Sequence, residues 1–503
     1  MATEMFSPYI ALRDNYVSNR KNIGRKCKTF TLSVGCLAAL GTLLFLTLRD
    51  KSTHKVGNLG GVRATEDPAT WEPEDDQLSQ LPVSDGQCRI VLTESIPLYM
   101  NYDSNATFGI PMHEAWKDLL TRATNSVYVA SFYWTLTDYD IGVNSSTDWL
   151  GRDIFKRFQD LPSRNVSVRV ATSIPTVRNK STDLKVLKAK GIHVRKVNFG
   201  HLTGGVLHTK LWVVDMKHIF IGSANMDWRA LTQVKELGVV VYDCPHLAVD
   251  LYKIFKSYWV MGRHNASVPK HWPAYFDTSI NKENPLMVNT SGAASAFYIS
   301  ASPPSFCPST RTMDLDAILT VIQEAELFVD VAVMEYFPTS RFTKPSSYWP
   351  ALDDALRQTA FTKQVAVRLL VSCGQDTDPA MLPFLKSLND LHYPAANISI
   401  EVKVYIVPVA NQSDIPFSRV NHNKYMVTDK AAYIGTSNWS ADYFVNTAGV
   451  GLVVSQDKPH PGRTGQTLQE QLKAAFERDW NSRFAFKLSN LGYNPECTFT
   501  NRA

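Results

Sequence analysis

The sequence carries little net charge for its length, since its 503 residues sum to only +5 at pH 7 with histidine neutral. Residues 1–28 hold six basic and two acidic side chains (+4), which leaves +1 of the +5 for the rest of the chain. A near-neutral remainder argues against a binder of duplex DNA, whose contact surface is strongly basic. The chain also lacks the closely spaced His–His and Cys–Cys pairs typical of zinc sites, so the sequence indicates neither a metal site nor a cofactor.

Charged residues are also absent from residues 29–48, a run long enough for a helix to cross the roughly 30 Å apolar core of a bilayer. Because the basic cluster precedes this run, we expect residues 1–28 to form a cytosolic tail and all later residues to be luminal or extracellular. A cleaved signal peptide is the alternative, although the run begins late for one. Residues 49–86 predict a luminal stalk, since 61–86 are acidic, rich in proline and poor in aliphatic residues.

Sequons and cysteines agree with a luminal or extracellular domain. Asn-x-Ser/Thr sequons predict glycosylation at Asn105, Asn144, Asn165, Asn179, Asn265, Asn289, Asn397 and Asn411, and a further one begins at Asn438. The cysteines beyond residue 48 are Cys88, Cys244, Cys307, Cys373 and Cys497. In an oxidising lumen we favour the pairs Cys88–Cys244 and Cys373–Cys497, which would tie each half of the domain to itself and leave Cys307 free. Other pairings, or five reduced and buried cysteines, are the alternatives.

The order of predicted elements repeats from about residue 87 onward. The paired helices are 112–123 with 313–325 and 151–160 with 351–361; the paired strands are 127–133 with 327–334, 166–172 with 365–371, and 192–197 with 398–407. A third helix precedes the last strand of each set. Strands that alternate with helices predict an α/β fold with a mixed sheet in each half, 87–276 and 296–503. Residues 277–295, rich in Asn, Ser, Thr and Gly, predict a linker between the halves.

The best-matched part of the repeat is His-x-Lys-x-x-x-x-Asp followed by Gly-Ser/Thr-x-Asn, once in each half. The motif residues are His208, Lys210, Asp215 and Asn225 in the first half and His422, Lys424, Asp429 and Asn438 in the second. Residues two apart on a strand face the same side, so imidazole, ammonium and a neighbouring amide would converge. One such set can hold part of a phosphate, and two facing sets can surround it. Two copies in corresponding places outweigh the alternative of buried strands with core histidines.

At these residues the chain resembles the phospholipase D superfamily over about 87–503, and within it the endolysosomal type II subfamily of phospholipase D3 and phospholipase D4. The resemblance implies a duplicated phospholipase D-like α/β fold on an N-terminal transmembrane anchor, with two mixed-sheet halves around one pseudo-twofold, metal-independent site. It implies a 5′-exonuclease that hydrolyses single-stranded DNA or RNA and limits nucleic-acid sensing. It also implies a single-pass type II membrane protein of the endoplasmic reticulum, Golgi, endosome and lysosome, with a luminal catalytic domain.

The residue types indicate how such a site works. A neutral imidazole can attack phosphorus to form a phosphohistidine, while a protonated one gives the leaving oxygen a proton and then activates water. The two lysines and two asparagines would bind the phosphate and stabilise its developing charge. The resemblance makes His208 the nucleophile and His422 the acid/base, although the two copies are too alike for the sequence to assign these roles. We expect Asp215 and Asp429, within the catalytic motifs, to pin the motif strands rather than to touch substrate.

One further acid follows the first motif. The resemblance implies that Glu236 hydrogen-bonds the nucleophilic imidazole and orients it, whereas the alternative is a surface glutamate at a strand edge. The second half has no acid around residues 447–451, so no orienting partner for His422 is identified.

The motif permits more than one phosphodiester substrate. Aromatic residues that could stack nucleic-acid bases flank the first motif, although most aromatic side chains belong to the core: Phe132, Tyr133, Trp134, Trp212 and Trp228. A phospholipase or phosphatidyltransferase acting on luminal lipids is the alternative, and an inactive receptor-like protein is disfavoured by the intact motifs. The expected partners are single-stranded nucleic acid and the membrane through one helix, with a phospholipid substrate and a homodimer left open. Residues 9–12 fit a tyrosine-based sorting signal, and all 12 histidines lie beyond residue 48, which favours an acidic optimum.

Overall fold

The computed structural model describes residues 88–174, 181–290, 292–457, 465–492 and 494–500. The chain divides into two units, Met1–Asp76 and Gln77–Ala503, and every described residue lies in the second. The predicted tail, membrane anchor, stalk and sorting signal, all within residues 1–86, and the sequon at Asn179 lie outside the described residues. Within the described ranges, no helix has the length and apolar character needed to cross a bilayer.

The first half is built around one large sheet. Its strands are β1 Arg89–Ser95, β2 Ile110–Pro111, β3 Ser126–Ser131, β4 Trp134–Thr135, β5 Ser167–Ser173, β6 His193–Val197, β7 Leu211–Val214, β8 His218–Gly222, β9 Met226–Asp227 and β10 Glu236–Tyr242. Eight of them form a sheet in the order β2-β1-β10-β8-β7-β3-β5-β6, and β4 pairs with β9 separately. Strands β3 and β10 are buried along their whole length, which is why they are rich in β-branched residues rather than alternating with polar ones.

The second half repeats this plan. Its strands are β11 Leu286–Thr290, β12 Ala293–Ser302, β13 Phe328–Val333, β14 Ala366–Ser372, β15 Ile400–Tyr405, β16 Lys424–Thr428, β17 Ala432–Gly435, β18 Gly449–Gln456 and β19 Ala485–Lys487. They form one sheet in the order β11-β12-β18-β17-β16-β13-β14-β15-β19. The central order β12-β18-β17-β16-β13-β14-β15 matches β1-β10-β8-β7-β3-β5-β6 strand for strand, with the same parallel and antiparallel pairings. The predicted duplicated α/β fold with mixed sheets is confirmed.

Helices cover the sheets and connect the halves. The α-helices are α1 Met112–Arg122, α2 Trp149–Asp160, α3 Thr182–Ala189, α4 Phe199–Leu202, α5 Arg229–Thr232, α6 Pro245–Met261, α7 Asp314–Glu324, α8 Ala351–Lys363, α9 Leu382–Asn389, α10 Ala441–Val445 and α11 Leu468–Trp480. In α1 the buried residues Met112, Trp116 and Leu119 recur at helical spacing and face the core of the first half. Helix α6 packs on β3 and β8 of its own half and on β12 of the other, whereas α11 packs on β18 and on β1.

The range predicted as a linker, 277–295, contains more structure than its composition indicates. Residues Leu286–Thr290 form β11, which pairs antiparallel with β12 at the edge of the second sheet, and β12 already begins at Ala293. Pairing with β12 stabilises β11 as a strand although the range 277–295 has a composition typical of a loop, because strand formation depends strongly on the neighbouring strand.

Candidate active site

Each motif histidine lies just before the strand that its motif predicts. His208 and Lys210 precede β7, and Asn225 follows β8, the strand paired with β7. In the second half, His422 precedes β16, Lys424 begins it, and Asn438 follows β17. Each hairpin therefore brings its histidine, lysine and asparagine to the same end of its sheet.

The two motifs meet across the junction of the halves through reciprocal main-chain contacts. The N–H of His208 donates to the carbonyl of Ala448 at 3.1 Å, and the N–H of His422 donates to the carbonyl of Lys235 at 2.8 Å. The ring of Tyr443 in the second half packs edge-on against the His208 ring with centroids 5.0 Å apart. The two motif sets thus form one site that neither half contains alone, as predicted.

His208 is buried and lacks an acidic partner. Its side-chain nitrogen Nδ1 has no hydrogen-bond partner among the described residues. Burial lowers the pKa of His208 well below its ordinary value, and Lys210, Lys424 and His422 lower it further, while the main chain of Thr436 raises it by a smaller amount. His208 is therefore held in the neutral form, which is the form that can attack phosphorus.

Glu236 binds His422, and not His208 as the sequence predicted. The carboxylate of Glu236 accepts a hydrogen bond from His422 Nδ1, at 2.8 Å to one oxygen and 3.0 Å to the other. It is fixed in turn by the hydroxyl of Ser223 at 2.5 Å. Burial lowers the pKa of His422, but the adjacent Glu236 opposes this effect, so His422 keeps a proton more readily than His208 does. The prediction was wrong because the acid of one half reaches into the other half.

The two motif lysines are buried beside the histidines. Nζ of Lys210 donates to the His208 carbonyl at 2.6 Å, and Nζ of Lys424 donates to the His422 carbonyl at 2.8 Å. Burial lowers the pKa of Lys424 to about 7 and that of Lys210 well below its ordinary value, and Lys424 lowers the Lys210 value further. An anionic phosphate placed between the two ammonium groups would reverse these shifts and hold both lysines in the charged form.

The two asparagines are held by different neighbours. Asn225 Nδ2 donates to the hydroxyl of Tyr133 at 3.4 Å, and that hydroxyl donates to Asp227 at 2.9 Å. Asn438 Nδ2 donates to the Glu335 carboxylate at 3.2 Å and to the Tyr443 hydroxyl at 3.1 Å. These contacts fix both amides at the site, where they can meet the non-bridging oxygens of a phosphate.

Glu335 and Tyr443 are site residues that the sequence analysis missed. Glu335 pairs with Arg341 at 2.8 Å and raises the pKa of Lys424, in opposition to burial, so it belongs to the charge balance of the site. Aligning the halves would have indicated Glu335, because it lies two residues after β13 as Tyr133 lies two residues after β3. Tyr443 carries no such signal, since nothing in the motif points to α10.

Asp215 and Asp429 lie away from the phosphate-binding groups and anchor the strands. The Asp215 carboxylate accepts main-chain N–H bonds from Thr124, Asn125 and Ser126, each at 2.8 Å, and the Thr124 hydroxyl at 2.7 Å. Asp429 accepts from the main chain of residues 326 and 327 at 3.0 and 2.9 Å. Both therefore tie the end of a motif strand to the start of β3 or β13.

The aromatic residues near the first motif serve mostly the core. Trp134, Trp212 and Trp228 are fully buried, so they are not available to stack bases. Phe132 packs against the His208 ring with centroids 5.4 Å apart, and Tyr133 holds Asn225. Of the five candidates, only these last two contact the site.

The structure contains two disulfides and shows the exposure of the sequon asparagines in the described ranges. Cys88–Cys244 and Cys373–Cys497 are bonded, which confirms the predicted pairs, and Cys307 is a free thiol. The expected glycosylation positions within the described ranges have exposed asparagines: Asn105, Asn144, Asn165, Asn265, Asn289, Asn397 and Asn411. The sequon asparagine Asn438 is buried in the site instead. Within the described ranges, no three His, Cys, Asp or Glu side chains are grouped to hold a metal ion.

Comparison with known proteins gives the family. The family described as PLD3/4, PLD-like domain matches residues 103–410. The 5'-3' exonuclease PLD4 of Homo sapiens is 54% identical over 429 residues, which cover 85% of this chain and 84% of that protein. The 5'-3' exonuclease PLD3 of Xenopus laevis is 47% identical over 417 residues, covering 82% and 84%. A solved phosphatidylserine synthase of Haemophilus influenzae Rd KW20 superposes with a TM-score of 0.47 at 13% identity, covering 75% of this chain and 85% of that one. The chain therefore belongs to the PLD3/4 family of phospholipase D-like proteins.

Proposed function

We propose that this protein is a 5′-exonuclease that hydrolyses the phosphodiester bonds of single-stranded DNA or RNA through a phosphohistidine. The observation that carries the proposal is the meeting of two His–Lys–Asn sets at the junction of the halves, with Glu236 of one half bound to His422 of the other. Such a site surrounds one phosphate with two imidazoles and four groups able to stabilise its charge. The similarity to PLD4 and PLD3, which are both named 5'-3' exonucleases, supports nucleic acid as the substrate and the direction of digestion.

In the first step, neutral His208 attacks phosphorus. A bond forms between a ring nitrogen of His208 and phosphorus, while the bond from phosphorus to the leaving oxygen breaks and its electron pair goes to that oxygen. Protonated His422 gives its proton to the leaving oxygen, and Glu236 stabilises the imidazolium before transfer. The pKa of His208 lies further below its ordinary value than that of His422, which supports this division of roles.

In the second step, His422 acts as a base. It takes a proton from water, the resulting oxygen attacks phosphorus, and the phosphorus–nitrogen bond breaks so that its electron pair returns to His208. The site then holds the released phosphomonoester, with His422 protonated again. Lys210, Lys424 and the two asparagine amides bind the phosphate oxygens in both steps, so no metal ion is needed to balance the charge.

We further propose that the catalytic domain lies in the lumen of the endolysosomal pathway, anchored as a type II membrane protein by residues 29–48. Two disulfides and the exposure of the described sequon asparagines other than Asn438 support an oxidising, glycosylating route. Light scattering of the purified protein would test whether the chain forms a homodimer.

The decisive experiment compares two substrates with the purified full-length chain in detergent micelles. A single strand labelled at either end and vesicles of phosphatidylcholine are incubated side by side, with His208→Ala as the inactive control. A 5′-exonuclease releases the 5′ label at once as a mononucleotide and shortens the 3′-labelled strand gradually. Turnover of the lipid without digestion of the oligonucleotide would replace this proposal by the phospholipase alternative, and a random ladder from both labels would indicate an endonuclease.

A further inference from the structure

Gly449 in the second half occupies the position that Glu236 occupies in the first. Gly238 of β10 pairs with Gly222 of β8, and Gly451 of β18 pairs with Gly435 of β17. Gly222 and Gly435 are the first residues of the two Gly-Ser/Thr-x-Asn segments, so Gly238 and Gly451 are equivalent. Glu236 and Gly449 each lie two residues before these glycines and begin their strands. The duplicated sheets therefore place a carboxylate at one of two equivalent positions and no side chain at the other.

These two positions face opposite histidines. The main-chain N–H of His422 donates to the residue before Glu236 at 2.8 Å, and that of His208 donates to the residue before Gly449 at 3.1 Å. Glu236 uses this placement to bind His422 Nδ1. A carboxylate at position 449 would be placed equally well to bind His208 Nδ1, an atom that has no hydrogen-bond partner in the part of the chain that the structure describes.

The space next to Gly449 is filled by hydroxyl groups. A Cβ at this position would lie well inside contact distance of Ser437 Oγ and 2.9 Å from Ser302 Oγ. Ser437 directly precedes the motif asparagine Asn438, and the equivalent residue in the first half is Ala224, which has no hydroxyl group. Gly449 provides no side chain, and the Ser437 hydroxyl occupies part of the space that an acidic side chain would need. The two residues together therefore exclude an acid from this position.

The groups that surround His208 reinforce its neutral form. Burial lowers the pKa of His208 most, and Lys210 of the same motif and Lys424 and His422 of the second motif lower it further. The rings of Phe132 and Tyr443 pack against it and keep water away.

Asp314 is a buried acid that lies close to Gly451. Its carboxylate is bound by the hydroxyls of Ser300 and Tyr433, at 2.7 and 2.9 Å. Both hydrogen bonds go to Oδ1 of Asp314, and no hydrogen bond joins Asp314 to His208 Nδ1, so Asp314 does not take the place of Glu236 for His208.

We propose that Gly449 and Ser437 assign the chemical roles of the two histidines, because they keep a carboxylate away from His208 while Glu236 supplies one to His422. His208 is then the imidazole that stays neutral in acidic surroundings and attacks phosphorus, and His422 is the one that carries the proton. This inference rests on the proposed phosphohistidine mechanism. It makes Gly449 and Ser437 positioning residues that act through His208 without touching substrate.

The test replaces Ser437 and Gly449 of the second half by the residues at the equivalent positions of the first half, Ala224 and Glu236. In the full-length chain, Ser437→Ala/Gly449→Glu is compared with Ser437→Ala/Gly449→Gln, which has the same size but no charge. An adjacent carboxylate raises the pKa of an imidazole, so the acidic limb of the pH–rate profile should lie about one pH unit or more higher in the Glu variant. At a pH below both limbs this corresponds to about a tenfold lower rate than that of the Gln variant. Equal acidic limbs in two folded variants, verified by thermal unfolding, would overturn the proposal.

A second measurement needs neither substrate nor substitution at these positions. Carbon-13 NMR of histidine-labelled wild-type protein follows the titration of both imidazoles, with His208→Ala and His422→Ala used to assign the signals. We expect His208 to titrate below His422, and the reverse order would refute the role assignment even if the Glu and Gln variants failed to fold. Absence of nuclease activity in the wild type would instead refute the proposed function. The order in which His208 and His422 titrate is measured without substrate, so it is a separate result.

Discussion

Glu236 in the first half accepts a hydrogen bond from Nδ1 of His422 in the second half, at 2.8 Å across 186 residues of sequence. The contact makes the environment of His422, the proposed acid/base, depend on the fold of the other half. Because the reciprocal position in the second half is Gly449, the pseudo-twofold site is chemically asymmetric although its main chain is nearly symmetric. One imidazole is paired with a carboxylate and the other is not, which in the proposed mechanism gives a repeated motif two different functions.

The pH dependence follows from this asymmetry. The proposed mechanism requires neutral His208 and protonated His422. Burial lowers both pKa values from the usual value of about 6.5, and Glu236 opposes this effect for His422 only. The rate should therefore follow a bell with its optimum below pH 6.5. Since Glu236 raises the pKa of His422, Glu236→Gln should move the basic limb to lower pH. Initial rates on a single-stranded oligonucleotide from pH 4 to pH 9 measure both limbs, and an unchanged basic limb in the variant would contradict the assignment.

In the proposed mechanism each motif histidine performs a step that the other does not. His208→Ala and His422→Ala should each abolish turnover, and Lys210→Ala or Lys424→Ala should reduce it by several orders of magnitude. Groups that act as one unit are not additive, so the double histidine variant should be no worse than either single one. Single-turnover assays with enzyme in excess measure these rates. Near-native activity of either single histidine variant would show that the two motifs do not share one site.

Local sequence patterns predicted the strands and the two motif sets because those features depend on neighbouring residues. The apolar run that became β3 was predicted at 127–133 and lies at Ser126–Ser131, and the helix predicted at 351–361 lies at Ala351–Lys363. The histidine, lysine and asparagine of each set meet through one hairpin, which the spacing of the motif already encodes.

Contacts between the halves could not be predicted in the same way. The family resemblance assigns Glu236 to the nucleophilic imidazole, His208, whereas the packing of the halves brings it to His422. Tyr443 packs on His208 from a helix with no motif of its own. Such contacts depend on how two sheets are oriented, and a linear pattern carries no information about that orientation.

Asp215 should prove structural in a direct comparison of stability and activity. It accepts four hydrogen bonds from residues 124–126, and a hydrogen bond to a charged group contributes about 1.5–3 kcal/mol. We therefore expect Asp215→Ala to lower the free energy of unfolding by at least about 2 kcal/mol while the folded fraction keeps most of its activity. Asp118→Ala removes a more exposed carboxylate on α1 that binds Arg122 and Tyr242, and it should lower the free energy of unfolding by less than Asp215→Ala does. A folded Asp215→Ala protein without activity would assign this residue to the chemistry instead.

The two halves should be held together by the buried ion pair between Arg311 and Asp250. Their side chains are almost fully buried, with Arg311 nitrogens 2.7 and 2.9 Å from the Asp250 carboxylate on α6. Arg311→Met would leave Asp250 unpaired in an apolar setting, which costs about 3–5 kcal/mol. Lys430→Met breaks the exposed pair with Glu326 and should leave the midpoint of chemical unfolding almost unchanged. Chemical unfolding monitored by tryptophan fluorescence compares the two, and equal effects would mean that the buried pair does not stabilise the junction.

Catalysis should not depend on a divalent metal ion. Two lysines and two asparagine amides stand where a metal nuclease has clustered carboxylates, and the buried ammonium groups can offset the charge of one phosphate. The acid Glu236 is bound to His422 and Ser223, so it is engaged with protein donors instead of being free to ligate a cation. Treatment with excess EDTA, followed by removal of the chelator, should therefore leave the initial rate on a single-stranded oligonucleotide unchanged. A magnesium-dependent nuclease treated in parallel verifies that chelation was complete. Loss of activity that magnesium or zinc restores would show that a metal ion, rather than the lysine and asparagine side chains, stabilises the charge on the transferred phosphate.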